Sequence, residues 1–483
     1  MKQSEEKIYK NRYLILINVI MMTFMACIDG SIVNVALYNM SDTLTVSVSS
    51  ITWVVTSYLI VIIATILIFG RLGDIRGKVR IFKWGVIVFT FGSLLCGIAN
   101  SLPILIFSRV IQGIGASAAM ATNQGIITHV FPKNERGKAL GIAGTAVALG
   151  SMVGAPLGGL IIQVLSWKYI FLINIPIGIF AIIMGMKVLP VSDKKRVSEK
   201  FDIKGAILFS IAIVSLFCSI SFGGEGKLGF ANPFIISGFL LSIISFILFI
   251  NVERKLKSPP LLHLKIFSNP LFSLSIFCAL ISFTCISSIN IIQPFFIQDV
   301  MDYSPLITGL LMMTSPLILF FIAPISGSLS DKIGSEFLTF LGLLFTSLGL
   351  FLLSTLNENS GIVALVVYIA IAAIGNGMFQ SPNTSLIMST VPSDKLGVAG
   401  STNALVRNIG IALGVSLSTT LLYGMMSHKL GYHITEFKAG NEHVFVYGMK
   451  YVYILAGAIC AFGALLTAFR IFYKKSVSKK SLG

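Results

Sequence analysis

Apolar runs of about 20 residues, the length that carries an α-helix across the hydrocarbon core of a bilayer, recur along this chain from end to end. Fourteen can be separated, starting near Tyr13, Ile51, Ile81, Pro103, Ala139, Tyr169, Ile203, Pro233, Leu271, Pro305, Phe337, Ile362, Ser401 and Tyr447. Gly, Pro, Asn, Ser and charged residues fill the gaps, as helix-ending residues should. Lipid offers no partner to a backbone amide, so each run must satisfy its own, and a helix does that. The expected fold class is an all-α polytopic membrane protein with fourteen transmembrane helices. Composition closes the soluble alternative. Of 483 residues 55% are hydrophobic and 11% charged, with a mean hydropathy of +0.90, and no aqueous fold of this size has enough interior to hide them.

The net charge of +17 elsewhere would suggest nucleic acid. Here the lysines and arginines sit in short loops between apolar runs, where insertion polarity accounts for them. Counted by loop, 29 fall on one side and 5 on the other, with Arg109 and Arg407 inside spans. That bias places both termini in the cytoplasm and requires an even number of spans. The start of the chain resembles a signal peptide, but its run from Tyr13 to about Val35 is long and carries an aspartate, so it reads as a retained first span. All six cysteines (Cys27, Cys96, Cys218, Cys278, Cys285, Cys460) fall inside apolar runs without CxxC spacing and read as small core hydrophobes.

An internal repeat organises the spans. Gly70-Arg-Leu-Gly-Asp74-Ile-Arg-Gly77-Lys-Val-Arg80 is a tight basic loop after span 2, and its Gly-x-Leu-x-Asp-x-x-Gly spacing returns as Gly327 to Gly334 at an offset of 257. Pro132-x4-Gly137-x-Ala139 returns as Pro392-x4-Gly397-x-Ala399 at an offset of 260. Two such returns argue for related halves of six spans each. The expected division is an N-terminal bundle over 1–200, an inserted hairpin of spans 7 and 8 over 201–252, and a C-terminal bundle over 253–483. Repeated halves around a mid-membrane site are how secondary transporters are built.

Asp29 lies well inside the first span. A carboxylate there costs several kcal/mol unless it is paired, wetted or protonated, so it is a candidate for carrying a proton or attracting a cationic substrate; the bland reading is an acid snorkelling to the outer surface. Arg109, early in span 4, stands at a comparable depth and needs an anion or several carbonyls. Asp29 is its clear partner in the N-half, as a proton-coupling pair or as a fixed structural ion pair. In span 5, Ala146, Gly150, Gly154 and Gly158 recur every four residues on one face, where small residues admit a neighbouring helix. Gly159 and the helix-bending Pro156 follow, so this face reads as a close helix contact or a bendable seam between halves.

In the basic loop, Asp74 is placed to accept hydrogen bonds at the N-terminus of the next helix. Arg71, Arg76, Lys78 and Arg80 serve as a topological anchor or, with Asp331 of the repeat, as a cytoplasmic latch. Asn34, Gln112, Asn290, Gln293 and Gln380 are candidate substrate-cavity residues, with helix–helix hydrogen bonding the alternative for those of the C-half. Motifs of the GxxxxGK[ST], HExxH, CxxC and GxSxG kinds do not occur. No cofactor or metal is expected, and an ion gradient is the energy source that remains. Five histidines, scattered or confined to one outer loop, argue against a membrane enzyme.

These residues carry a resemblance to the major facilitator superfamily over essentially the whole chain, and more closely to its fourteen-span drug:proton antiporter branch. Gly70 to Arg80 resembles the signature loop between spans 2 and 3. Arg109-x-x-Gln112-Gly113-x-Gly115-Ala116 is similar to the span-4 motif, whose arginine the family assigns to proton transfer. Gly150-x3-Gly154-Ala-Pro156-Leu-Gly158-Gly159 resembles the antiporter motif of span 5, and Asp29-Gly-Ser-Ile-Val-Asn34-Val-Ala-Leu37 that of span 1. Trp53 to Tyr58 and Trp167 to Pro176 add to the match. Ala155 stands where a Gly-Pro pair is usual and Tyr38 where a proline is usual. Some members carry further acids inside C-half spans; here Asp299 and Asp302 read as loop residues. The resemblance implies a monomeric, proton-coupled exporter of amphipathic, hydrophobic or monocationic small molecules in the cell membrane, working by alternating access. An exporter of a lipid, amino acid or other cell-made metabolite on the same scaffold is the alternative. If the charge bias sets topology, green fluorescent protein fused after the last residue fluoresces and alkaline phosphatase there is inactive, and both results reverse for fusions after Leu430.

Overall fold

The computed structural model describes residues 9–132, 135–190, 201–224, 229–256, 260–392, 396–434 and 440–480. Among them, fourteen helices have the length and apolarity to cross a membrane. In chain order they are α1 (Arg12–Leu44), α2 (Ser49–Arg76), α3 (Lys78–Ile98), α4 (Leu102–Val130), α5 (Ile142–Val164), α6 (Tyr169–Val188), α7 (Ile203–Gly223), α8 (Pro233–Lys255), α9 (Pro270–Val300), α10 (Pro305–Ser330), α11 (Ser335–Leu353), α12 (Ile362–Ser389), α13 (Val398–Leu430) and α14 (Glu442–Arg470). Each start lies within five residues of its sequence expectation, because a long apolar run leaves the backbone no other partner than itself.

The helix ends use the expected chemistry. Pro233 and Pro270 occupy the first turns of α8 and α9, where the missing N–H is not needed. Asn232 caps α8 by accepting from Phe234 N at 2.9 Å, and Asn269 caps α9 by accepting from Leu271 N at 3.0 Å. Two boundaries differ from expectation. The stretch Gly70–Arg76 is the last part of α2 and not a loop; the chain reverses at Gly77 alone, whose φ of +98° suits glycine. Asp74 therefore lies within α2, and its carboxylate pairs with Lys78 Nζ at 3.3 Å, while α3 has no side-chain cap. Asp299 is likewise helical, in the π-wound end of α9.

Contacts divide the chain into two compact units. The first takes Met1–Ser219, Ala231–His263 and Ser304–Gly309, and the second takes Ile220–Phe230, Leu264–Tyr303 and Leu310–Gly483. Most of the α7–α8 hairpin clusters with the first: Ser210 Oγ donates to Ala64 O of α2 at 3.0 Å, and Ser242 Oγ to Ala212 O at 2.8 Å.

Glycine fixes how closely helices approach inside each unit. At the α3–α4 crossing, a Cβ on Gly85 would meet Ala119 N at 2.7 Å, and one on Gly92 would meet Gln112 Cα at 2.6 Å. At the α11–α12 crossing, Gly342 faces Phe379 N at 2.6 Å and Gly349 faces Ala372 Cα at 2.7 Å. Gly342 and Gly349 stand 257 positions after Gly85 and Gly92. The repeat thus extends from the turns into the helix crossings. The turns match too: Gly334, at the end of the segment Thr314–Ile333, has a φ of +94° against +98° at Gly77. The side chain of Asp331 lies outside those described.

The α5 stripe packs on α1. A Cβ on Gly150 would meet Phe24 O at 3.0 Å, on Gly154 Ile28 O at 2.9 Å, and on Gly158 Ile32 O at 3.1 Å. Gly159 alone turns to the start of α10, with Leu306 Cα at 2.9 Å. The seam is therefore largely internal to the first unit. Gly410 and Gly414 of α13 repeat it on α9, against Leu280 O at 3.0 Å and Thr284 O. Gly92→Val should force backbone apart and destabilise by about 1–3 kcal/mol or more, read as a lower Tm in detergent. Gly70→Ala has nothing within 4 Å of its new carbon and should leave Tm unchanged or raise it.

Candidate functional site

The polar centre of the first unit forms where five helices converge. Asp29 stands just past the middle of α1 and is 0% exposed; Arg109, on α4, is 1% exposed. Arg109 Nη1 donates to Asp29 Oδ2 at 2.6 Å. The carboxylate does not snorkel, and the cation's anion is the one expected. Arg109 Nε donates to Val54 O of α2 at 2.9 Å, and its guanidinium lies over the Tyr58 ring, 4.1 Å from the centroid, with Phe171 at 5.6 Å. Carbonyl, carboxylate and aromatic face together replace the water this cation has lost.

Gln112 follows Arg109 by three residues and so shares its helix face. Its Oε1 accepts from Arg109 Nη1 at 2.6 Å and from Cys96 Sγ at 3.7 Å. Its Nε2 donates to Asp29 Oδ1 and to Ser93 Oγ, both at 2.9 Å. Asn174, the first residue of the main segment of α6, adds an Nδ2 donation to Asp29 Oδ1 at 3.2 Å. Each recorded partner of the Asp29 carboxylate is a donor, the arrangement suited to its ionised form. Elsewhere among the described residues, the ion pairs Arg12–Glu135 and Asp74–Lys78 are part-exposed, so this is the pair withdrawn from solvent.

The other expected site residues scatter. Gln112 is wholly buried within the charged cage. Asn34 and Asn290 are half-buried on α1 and α9. Gln293 is buried and donates to Tyr453 Oη at 2.9 Å, while Gln380 is part-exposed, with its Nε2 3.4 Å from Asn376 Oδ1. Of the α2–α3 turn residues, Asp74, Arg76 and Arg80 are exposed, whereas Lys78 runs along Gly125 of α4. Arg407 is exposed, its guanidinium 5.5 Å from the Phe283 ring centroid. Sequence reasoning missed Ser93, Cys96 and the role of Asn174 in the cage. Ser93 follows Gly92, whose closeness to Gln112 needs the fold to become visible.

Among the described residues, the second unit has no counterpart of this cage at the corresponding positions. Its α9–α13 contact fixes an offset of 256 from α1, which sets Cys285 opposite Asp29; its α11–α12 crossing fixes 260 from α4, which sets Ile369 and Ala372 opposite Arg109 and Gln112. Cys285 Sγ donates to Ala456 O at 3.2 Å, and Ile369 and Ala372 are buried apolar side chains.

The sequence profile described as Major Facilitator Superfamily matches residues 19–415. The chain belongs to the Major Facilitator Superfamily. It is a transporter of small molecules and not an enzyme, a multi-pass membrane protein. It is 35% identical over 460 residues to the riboflavin transporter RibZ of Clostridioides difficile (strain 630), covering 95% of this chain and 98% of that one. It is 30% identical to the multidrug transporter protein MdtP of Bacillus subtilis (strain 168) over 437 residues, 90% of this chain and 79% of that one. Multidrug resistance protein 3 of the same organism is 31% identical over 421 residues, covering 86% and 80%. A crystal structure of a bacterial homologue of the human lysosomal transporter Spinster, inward-facing and unoccupied, shares the fold with a TM-score of 0.66 at 16% identity, over 95% of this chain and 96% of that one. The curated relatives thus include a riboflavin transporter and multidrug transporters.

Replacing Arg109 strands a buried carboxylate, which typically destabilises by about 3–5 kcal/mol. Arg109→Gln should therefore lower Tm in detergent more than the double variant Asp29→Asn, Arg109→Gln does. Equal losses in the two would show the pair to be uncoupled.

Proposed function

We propose that this secondary transporter is a proton-coupled antiporter that exports amphipathic, hydrophobic or monocationic small molecules. The observation that carries this reading is the buried Asp29–Arg109 pair, ringed by donors and without an equivalent among the described residues of the second unit. An ionisable acid inside a membrane bundle is by default a proton or ion site. Asp29 takes a proton from the outer side and releases it inside, and bound cargo favours release. Such exchange needs cargo and proton to oppose each other's binding, and the coupling is reciprocal. Arg109 supplies the fixed positive charge that returns the carboxylate to its ionised form.

Transport proceeds by alternating access, with 1–200 and 253–483 as the repeated halves and 201–252 as an added hairpin. The protein acts as a monomer with both termini in the cytoplasm. Asn34, Asn290, Gln293 and Gln380 offer polar contacts to cargo, and Gly70–Arg80 with Asp331 forms a cytoplasmic latch. Gly150, Gly154, Pro156, Gly158 and Gly159 keep α5 tight against its neighbours. A second reading, a riboflavin transporter, is favoured by the identity to RibZ along almost the full length of both chains.

Everted membrane vesicles test both readings with ethidium and riboflavin as probes. An imposed pH gradient should drive ethidium into wild-type vesicles, and Asp29→Asn should abolish that uptake. Riboflavin moved while ethidium is ignored would select the second reading. Undiminished gradient-driven transport in Asp29→Asn would remove Asp29 from the mechanism.

A further inference from the structure

The cage around Asp29 offers the carboxylate donors and, among the described residues, offers its acid form no recorded acceptor. Arg109 Nη1, Gln112 Nε2 and Asn174 Nδ2 all donate to it. Oδ1 takes two of these donors and Oδ2 one, so a proton on Oδ1 would displace an N–H, and one on Oδ2 has no recorded acceptor unless a partner turns into one. Arginine has no acceptor. Gln112 is pinned at both ends: its Oε1 takes N–H from Arg109 and S–H from Cys96, and its Nε2 also serves Ser93. Turned over, it would set its own N–H against the guanidinium. Asn174 is different. It is 1% exposed, and among the described residues its carboxamide has no other hydrogen-bond partner. It also makes the longest of the three bonds to the carboxylate, from a helix that is interrupted at Ile173 immediately before it.

We propose that Asn174 is the positioning residue that answers the proton: its Nδ2–H holds the Asp29 carboxylate, and on protonation its carboxamide rotates about Cβ–Cγ so that Oδ1 accepts the acid O–H. The proton comes from water and binds one carboxylate oxygen. As it binds, one O–H bond of the donor hydronium breaks and leaves a water molecule; no other covalent bond changes. The rotation gives the acid form a partner that no other side chain of the cage supplies, and it signals protonation to α6. Other titratable groups around the carboxylate are Arg109 of α4, Tyr58 of α2, Cys96 of α3 and Cys27 of α1 itself. The α5 face packed on α1 presents Gly150, Gly154 and Gly158, and α6 presents Asn174 and Phe171. Of the three side chains recorded as bonded to the carboxylate, Arg109 has no acceptor and Gln112 is held at both ends, which leaves the Asn174 carboxamide as the one that can turn over.

The inference rests on Asp29 as the proton carrier, and the experiment keeps the two apart. Infrared difference spectra of the purified full-length protein are recorded across a pH titration. A protonated-acid carbonyl band that is absent in Asp29→Asn belongs to Asp29; if wild type shows none, the proton-carrier reading fails and this one with it. With the band present, Asn174→Leu should lower its titration midpoint by about one pH unit, a tenfold loss of proton affinity. That variant leaves two of the carboxylate's donors and removes the acid's one acceptor. The band should also move to higher wavenumber, as for an acid whose O–H is free. A residue that merely packs would lower Tm without moving either quantity, and an unmoved midpoint and frequency would overturn the proposal while leaving Asp29 in place. Should Asn174→Leu not fold, wild-type protein with isotopically labelled asparagine serves. A carboxamide band that titrates together with the Asp29 acid band supports the rotation, and the absence of one overturns it.

Discussion

Putting an arginine and an aspartate into the middle of a helical bundle in lipid works only if the two charges find each other and further polar partners there. Desolvating such a pair costs several kcal/mol per ion, and the Coulomb attraction offsets this only with good geometry and further hydrogen bonds. The first unit meets that demand through helix spacing. Gly92 lets α3 lie on the Gln112 backbone, which brings Ser93 and Cys96 within reach of the Gln112 carboxamide. Gly150 and Gly154 let α5 press on α1 on either side of Asp29. The glycines and the charges are parts of one device, since wider crossings would leave the carboxamides out of range.

The two units share a frame and divide the chemistry. Turns at Gly77 and Gly334, crossings at Gly85/Gly92 and Gly342/Gly349, and seams at Gly150/Gly154 and Gly410/Gly414 correspond position by position. At the positions that hold the ion pair and its glutamine, the second unit has Cys285, Ile369 and Ala372. A duplicated scaffold keeps its backbone contacts because they determine how helices pack, whereas the buried polar groups are free to differ. The buried ion pair therefore belongs to one half of the repeat, the asymmetry on which the proposed proton coupling through one carboxylate rests.

Much of this was legible in the residues. Fourteen helices, the repeat and the partnership of Asp29 with Arg109 follow from apolar run lengths, a recurring glycine spacing and the cost of a lone charge in oil. Other features were not. The Gly70–Arg76 stretch reads as a loop by its glycines and charges, yet helix continues through it because the chain need reverse only at the single residue with a positive φ. Asp74 looks like a cap and is a partner of Lys78, one turn along. Gln112 looks like a cavity residue and is the pinned centre of the cage.

By itself, the sequence determined the solvent, the number of spans and the need for Asp29 and Arg109 to find each other, because hydrocarbon penalises any exposed amide or isolated charge wherever it falls. Tertiary structure decided which neutral side chains complete the cage. Ser93, Cys96 and Asn174 lie 64, 67 and 145 positions from Asp29, and nothing local marks them. A hydrogen bond requires two atoms within about 3 Å, and only the crossing of five helices sets distances that short.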